Sequence, residues 1–173
     1  MLLRQKFFDR PTLTVAKELI GKYLVRKIGK KVVALQITET EAYDGFEDRA
    51  SHASRGKTPR NKPMFGPPGH FYVYFTYGMH WMLNVVTGKK GYPAAILIRG
   101  AGEYNGPAKL TKALRIDKKL NKKFASPKTG LWFEDRGDGI ESYKVKSLKR
   151  IGVDYAGPVW SKKKYRFVLR AKI

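Results

Sequence analysis

The segment Val32–Tyr43 is a long run of alternating residues, and it constrains the fold more than any other stretch. Alternation with a period of two places every second side chain on one face of a β-strand. On strict alternation that face carries, in order, Val33, Leu35, Ile37, Glu39, Glu41 and Tyr43. An apolar face that continues as two glutamates and a tyrosine predicts a strand that leaves the core and enters a cleft, where a rigid element would carry the functional groups.

Two further apolar segments predict a β-hairpin. The segments His70–Thr76 and His80–Thr87 are separated by a short glycine-containing turn, which would place Tyr77 at the tip. A buried strand is predicted at Ala94–Arg99 and ends in an arginine. The connection Asp44–Pro68 is long for a compact domain, and its embedded hydrophobic residues predict that it packs onto the body of the protein.

Helices and shorter strands complete the pattern. One helix is predicted to begin at Pro11 and to end at Gly21, and a second to begin at Asn105-Gly106-Pro107. Short strands are predicted at Tyr23–Lys27, Leu131–Phe133 and Tyr165–Leu169. The 173 residues show no internal repeat and no domain boundary, and they suffice for one hydrophobic core. We therefore predict a single domain over residues 1–173.

The sequence is strongly basic, with 36 Lys and Arg residues against 14 Asp and Glu residues and a net charge of +22. A charge of this size opposes compaction by self-repulsion, so it predicts a polyanionic partner. A solvated basic surface and acidic lipid are the alternatives, but no strongly basic amphipathic helix supports lipid binding. Nucleic acid is the favoured partner. The loop residues Arg55, Lys57, Arg60 and Lys62 are predicted to contact phosphates, and the second helix carries Lys109, Lys112 and Arg115 on its outer side, with Lys118 and Lys119 just beyond.

Several classes of chemistry and location are excluded or disfavoured. The absence of cysteine excludes disulfides, cysteine nucleophiles, thiolate zinc sites and iron–sulfur clusters. The three histidines, His52, His70 and His80, lack metal-ligand spacing, so we expect no metal and no cofactor. The N-terminus lacks the apolar core of a signal peptide, and the longest apolar run, Ala94–Ile98, is far shorter than a membrane span. We expect an intracellular protein without membrane association, in the cytoplasm or nucleoid of a prokaryote or the nucleus of a eukaryote.

Glu41 is the strongest candidate for a general base. A carboxylate at the mouth of a strand, with Tyr43 two residues further on, can be desolvated near a substrate. Glu39 could pair with it as two carboxylates do in glycosidases, but a strongly cationic protein is a poor match for neutral sugars, so a structural role is favoured. The tyrosines Tyr43, Tyr72, Tyr74 and Tyr77 are either sheet packing or stacking groups for nucleobases.

These residues lie in the motifs ETEAYDGFEDRASHA, SRGKTPRNK and GPPGHFYVYFTYGMHWMLN. Through them, and through FFDRPTLTVAKELIGKYLVR, LIRGAGEYNGPAKLTKAL and RIGVDYAGPVWSKKKYRFVLR, nearly the whole chain resembles the alkyladenine (3-methyladenine) DNA glycosylase family. The resemblance implies an α/β (α+β) fold, in which flanking helices and a protruding β-hairpin surround a curved antiparallel sheet. It also implies a monomer that flips damaged purines out of double-stranded DNA and excises them.

The resemblance further implies roles for individual residues in the reaction. Glu41 would be the general base that deprotonates a water molecule for attack on C1′ of the flipped nucleotide. Arg99 would help to fix the water and the carboxylate. The side chains of Tyr43, His52 and Tyr74 would stack on the extruded purine, and the backbone N–H of His52 would read the purine edge.

Two more roles are implied, and two other functions remain open. Asn84 would reject guanine from the floor of the pocket, and Tyr77 would fill the gap that the flipped base leaves in the duplex. One alternative is a non-catalytic basic module that binds damaged or distorted DNA, and another is an RNA-binding protein. Because the chain is rich in lysine, a Schiff-base lyase activity also stays open.

Overall fold

The computed structural model of the protein describes residues 1–140 and 144–170. The helices are α1 Gln5–Phe8, α2 Thr12–Leu19, α3 Pro107–Ala113 and α4 Gly157–Trp160, with 3-10 helices at Lys62–Phe65, Lys118–Leu120 and Asp154–Ala156. The strands are β1 Tyr23–Ile28, β2 Lys31–Asp44, β3 Phe71–Thr76, β4 His80–Val86, β5 Ala94–Ala101, β6 Tyr104–Asn105, β7 Leu131–Glu134, β8 Val145–Leu148 and β9 Arg166–Leu169.

All the strand pairs are antiparallel, and together they form one curled sheet. The main path runs in the order β3-β4-β5-β2-β1-β7, with β6 beside β5 and with β9 joining β8 to β2. The long strand β2 is central because it pairs with β1, β5 and β9. The prediction of an α+β fold built around a curved antiparallel sheet in one compact unit is confirmed.

The main hydrophobic core lies between the sheet and helices α2 and α3. The helix α2 buries Val15, Ala16 and Leu19 there, and α3 buries Leu110. The hydroxyl of Thr111 donates to the carbonyl oxygen of Trp81 over 2.8 Å and ties α3 to β4. In the described parts of the chain no helix has the length and apolar character that a membrane crossing requires.

A bulge in β2 separates its core half from its cleft half. The register against β5 shifts by one residue between Ile37 and Glu39 and shifts back between Glu39 and Thr40. Residues an odd number of positions apart point to opposite faces of an unbroken strand. In β2, however, Ile37 and Ala42 both belong to the main core, and Glu41 and Tyr43 line a cleft on the other face. The prediction that one face carries every alternate residue from Val33 to Tyr43 is therefore wrong, because this irregularity in the pairing of β2 with β5 breaks the alternation within the strand.

The predicted hairpin is present, and its turn is strained. Tyr77 and Gly78 both have positive φ angles, 53° and 65°, the combination that a type I′ turn needs. The N–H of Met79 donates to the carbonyl oxygen of Thr76 over 3.1 Å and closes the turn. Tyr77 is 84% exposed and Met79 is 65% exposed, so the tip presents two large apolar side chains to solvent.

The long connection between β2 and β3 packs against the body of the protein, as predicted. Ala50, Ala53 and Met64 are buried in it. The side-chain amide of Asn61, itself buried, donates to the carbonyl oxygens of His52 and Gly56 and so holds the loop in one shape. This connection forms one wall of the cleft.

Candidate functional site

A cleft of about 290 Å³ opens on the sheet face that points away from the main core. In β4 the side chains of Met82 and Asn84 line the cleft, while Leu83 and Val85, which alternate with them, pack into the core. The residues from the sequence motifs that the structure brings together here are Glu41, Tyr43, His52, Tyr74, Tyr77, Asn84 and Arg99. The sequence thus identified a set of residues that share one cavity, although they come from four strands and two loops.

Glu41 is fully buried at the base of the cleft. Its Oε2 accepts a hydrogen bond from the Tyr43 hydroxyl over 2.9 Å, and its Oε1 accepts one from the Ile151 N–H over 2.7 Å. Burial raises the pKa of Glu41, while Arg99, the Ile151 amide and the Tyr43 hydroxyl act in the opposite direction. These donors hold the carboxylate in one orientation in a site from which water is largely excluded.

Arg99 bridges the two glutamates of β2. Its Nη1 lies 3.7 Å from Oε2 of Glu41, and its Nε donates to Oε1 of Glu39 over 3.2 Å. Glu39 also accepts a hydrogen bond from Nη1 of Arg166 over 2.9 Å. Since Glu39 does not line the cleft, its carboxylate orients the arginine beside Glu41.

Aromatic rings form the walls of the cleft. The rings of His52 and Tyr74 lie 4.7 Å apart, and those of Tyr72 and Tyr74 lie 5.1 Å apart. Nδ1 of His52 lies 3.1 Å from the Tyr72 hydroxyl. Desolvation beside these rings, followed by the charge of Arg60, lowers the pKa of His52 and favours its neutral imidazole. Burial likewise raises the pKa of Tyr72 to about 12, which keeps its hydroxyl protonated.

Asn84 is fixed at the floor of the cleft. Asn84 is only 3% exposed, and its Nδ2 donates to the backbone carbonyl oxygen of Tyr72 over 3.1 Å. That bond sets the orientation of the amide, so Oδ1 and the second N–H of Nδ2 are held in fixed positions.

A further wall of the cleft comes from the C-terminal region, which contains none of the sequence-predicted site residues. Ile151, Gly152, Val153 and Tyr155 line the cleft, and the Tyr155 hydroxyl donates to the carbonyl oxygen of Ala50 over 2.7 Å. These residues lie in the motif RIGVDYAG, which carries part of the family resemblance. They contribute mainly backbone and apolar groups, and such residues leave no chemical signal in a sequence.

A buried ion pair attaches this wall to the rest of the site. Nη1 and Nη2 of Arg150 contact the two carboxylate oxygens of Asp48 at 2.6 and 2.8 Å, and both side chains are fully buried. Nη1 also donates to the carbonyl oxygen of Ala42 in β2. The guanidinium lies 4.9 Å from the ring centre of Tyr43 and 5.1 Å from that of Tyr165. Arg150 thus packs against Tyr43 in a wall of the cleft. It directly precedes Ile151, whose amide donates to Glu41.

The basic loop lies beside the cleft rather than within it. Arg55, Lys57, Arg60 and Lys62 are all exposed, and none of them lines the cavity. Nη2 of Arg60 donates to the carbonyl oxygen of Phe75 over 2.9 Å, and its guanidinium lies 5.3 Å from the ring centre of Tyr74. The loop therefore carries positive charge at the side of the hairpin. Its contact with phosphates stays a prediction.

Across residues 1–140 and 144–170, no cluster of three or more His, Asp or Glu side chains is arranged to hold a metal ion. The chemical groups of the cleft itself are carboxylate, guanidinium, phenol, imidazole and amide. The fold and the site together define a class, a single α+β domain that places a buried carboxylate at the base of a cleft with aromatic walls.

Comparison with known proteins identifies the family. A family model described as methylpurine-DNA glycosylase matches residues 6–105 and 101–173. A protein of Methanocella arvoryzae is 47% identical over 177 residues, which cover 90% of this chain and 86% of the relative. A protein of Carboxydothermus hydrogenoformans is 42% identical over 191 residues, which cover 98% and 96%. Both are provisionally named 3-methyladenine DNA glycosylase. The chain belongs to the methylpurine-DNA glycosylase family, as the motifs predicted.

Proposed function

We propose that this protein is a monofunctional DNA glycosylase of base excision repair, which acts as a monomer on alkylated or deaminated purines in double-stranded DNA. The observation that carries the proposal is the fully buried Glu41 carboxylate at the base of an aromatic cleft. The names of the relatives add 3-methyladenine as a substrate of those proteins. The reaction leaves an abasic site in the duplex.

The chemistry is a displacement at C1′ of the nucleotide. Glu41 accepts a proton from a water molecule as the water oxygen forms a bond to C1′, and the electron pair of the N-glycosidic bond leaves with the purine. Burial raises the pKa of Glu41 and therefore makes its carboxylate a stronger base than an exposed glutamate. Arg99, 3.7 Å from Oε2, keeps enough of the carboxylate ionised to act.

The aromatic cleft supplies the energy that holds a nucleotide outside the helix. Flipping costs a few kcal/mol of unstacking, and stacking on an aromatic side chain returns about 1–3 kcal/mol per base. Tyr43, His52 and Tyr74 are the stacking surfaces, and Asn84, fixed on the floor of the cleft, rejects guanine at its exocyclic amine. Neutral rings suit this role because they need no counter-ion inside the cleft.

The hairpin tip is the wedge that takes the place of the flipped base. Tyr77 is 84% exposed on a turn that holds it at a positive φ of 53°, which a tyrosine adopts only under strain. Strain that persists at an exposed aromatic residue indicates a functional constraint. Insertion of an apolar side chain between base steps is an established way to unstack a duplex. The cations of the adjacent loop, Arg55, Lys57, Arg60 and Lys62, bind the phosphates beside it.

The decisive experiment measures base release from a duplex with one hypoxanthine or ethenoadenine, and from alkylated DNA, with wild-type protein and the Glu41→Gln variant. We expect release by the wild type, and loss of release with retained lesion binding in the variant. Release by both proteins would remove Glu41 from the mechanism. Tight lesion binding without release from any substrate would instead establish a non-catalytic binding module, and tighter binding of single-stranded RNA would indicate an RNA-binding protein.

A further inference from the structure

A second concave surface lies away from the cleft and is strongly basic. This groove has a volume of about 620 Å³ and is lined by the cations Arg26, Arg115, Lys119, Lys123 and Lys128 and by one carboxylate, that of Asp117. It shares no residue with the cleft. The proposed glycosylase reaction uses none of these side chains, although several of them belong to the most basic segment of the sequence.

The groove lies on the face of the sheet opposite to the cleft. Arg26 follows Leu24 by two positions in β1, so the two side chains share a face, and Leu24 belongs to the main core. The guanidinium of Arg26 reaches the carbonyl oxygens of Leu114 and Arg115 at the carboxyl end of α3, the helix that covers that face of β4. The cleft is on the other face, because Asn84 alternates with the core residues of β4.

The groove is also distant along the sheet. Arg26 pairs with Val33 of β2, eight residues before Glu41. At the usual rise of a strand, this separation is about 26 Å along β2. A duplex that delivers a nucleotide to Glu41 therefore meets the protein on a different surface from the one that the groove presents.

One cation of the groove, Arg26, is fixed in position, and the other four are exposed. The Arg26 guanidinium donates to the carbonyl oxygens of Leu114, Gly130 and Arg115 at 2.9, 3.0 and 3.2 Å, so its position is fixed. Burial lowers the pKa of Arg26, which shows that its charge is partly desolvated. In the described parts of the chain none of the five cations forms a salt bridge, and Arg115, Lys119, Lys123 and Lys128 are exposed. Such a concentration of one sign of charge in a concave surface attracts a polyanion.

We propose that this groove binds the phosphate backbone of a second segment of double-stranded DNA while the cleft is occupied by the first. The proposal goes beyond the glycosylase function but rests on DNA as the ligand of the protein. Duplex DNA fits because it presents one phosphate charge per about 1.7 Å of helix axis, and a groove without aromatic side chains offers nothing for bases to stack on. Binding two segments would let the protein pass from one duplex to another without a free intermediate.

The test is a bridging experiment with two duplexes that carry a donor and an acceptor fluorophore. We expect the wild-type protein to bring them together in low salt. The variant with Lys119→Glu, Lys123→Glu and Lys128→Glu should lose bridging by about tenfold or more, since each reversal removes a phosphate contact. It should excise a lesion from one short duplex at the wild-type rate. The control variant reverses Lys6, Lys17 and Lys90, which are exposed lysines outside the groove.

The outcomes separate this proposal from the glycosylase function. Excision without bridging by the wild type would overturn the second site alone. Equal loss of bridging in both triple variants would show that diffuse charge, and not the groove, holds the second duplex. Slower excision from a short duplex by the groove variant alone would place the groove on the lesion-bearing duplex and would also overturn the proposal. Preferential competition by single-stranded RNA or an acidic peptide would assign the groove to that partner instead.

Discussion

The backbone N–H of Ile151 donates a hydrogen bond of 2.7 Å to Oε1 of Glu41, across 110 residues of sequence. The C-terminal segment thus reaches back to the residue on which the proposed reaction depends. The ion pair of Arg150 and Asp48 anchors this segment. Arg150 directly precedes Ile151 in the sequence. The same segment therefore contributes to the stability of the fold and to the proposed catalysis. Substitution of Arg150 should affect mainly stability, and substitutions near Glu41 should affect mainly excision.

We expect Arg150→Met to destabilise the fold by about 3–5 kcal/mol, because it leaves the buried Asp48 carboxylate without its partner. The measurement is urea unfolding. The double variant with Asp48→Asn also present should recover part of this loss, since it removes the unpaired charge. Equal instability of the single and double variants would contradict a role for the charge pair and would point to lost packing against Tyr43.

Glu39→Gln should slow excision more than it lowers stability. The Glu39 carboxylate orients Arg99 through a 3.2 Å hydrogen bond. The glutamine keeps an oxygen that can accept from Arg99 and Arg166 but loses the charge, so the effect on folding should be small. We expect single-turnover excision to fall by about tenfold, with lesion affinity close to that of the wild type. The charge of Glu39 by itself raises the pKa of Glu41, whereas Arg99 lowers it more strongly. We expect the acid limb of the pH–rate profile to move upward, because displacement of Arg99 outweighs the loss of the Glu39 charge. A downward shift would show that only the Glu39 charge was lost and that the position of Arg99 does not depend on Glu39.

The raised pKa of Glu41 predicts the pH dependence of activity and stability. Excision requires the ionised carboxylate, so its acid limb should lie at higher pH than for an exposed glutamate. Ionisation of Glu41 lowers the stability of the fold, whereas ionisation of a salt-bridged acid raises it. Because the folded pKa lies above the unfolded one, the cost of ionisation is absent at pH values below the unfolded pKa and complete above the folded pKa. Glu41→Gln should therefore unfold at an equal or higher temperature at neutral pH, and a clear loss of Tm would contradict this account.

Two substitutions at Tyr77 separate the wedge from the strain of the turn. Tyr77→Gly removes the side chain and relieves the positive φ, and Tyr77→Ala removes the side chain but keeps the strain. Both should weaken lesion capture in a binding assay, by a similar factor. The glycine variant alone should be more stable than the wild type, by about 1 kcal/mol. Unchanged lesion affinity in both variants would rule out insertion of Tyr77 into the duplex.

Motifs predicted the site better than strand periodicity did. Glu41, Tyr43, His52, Tyr74, Asn84 and Arg99 line one cavity, because distinctive polar and aromatic residues in ordered spacing carry the resemblance. The hairpin and its tip followed from local turn chemistry, in which a glycine allows the positive φ. Strict alternation failed in β2, since a bulge depends on the partner strand and is not visible in one segment.

The buried ion pair of Arg150 and Asp48 could not be predicted from the sequence, for a different reason. Arg150 is one of 36 Lys and Arg residues, and no local pattern in the sequence marks it as fully buried. Its partner Asp48 is 102 residues away, so only the closed fold brings the two together. The wall residues Ile151 and Gly152 contribute through backbone position, which residue type alone does not specify.

The bulge in β2 makes the site sensitive to the pairing of a strand as well as to its composition. Gly100 lies against it, and a Cβ at that position would meet Oγ1 of Thr38 at 2.9 Å, so the bulge and this glycine fit each other. Plain alternation through the same residues of β2 would exchange the two faces of the strand beyond Ile37. Glu41 would then face the hydrophobic core and Ala42 the cleft, although every candidate site residue would still be present in the sequence. Loss of the bulge should therefore disrupt the candidate site without removing any of its residues.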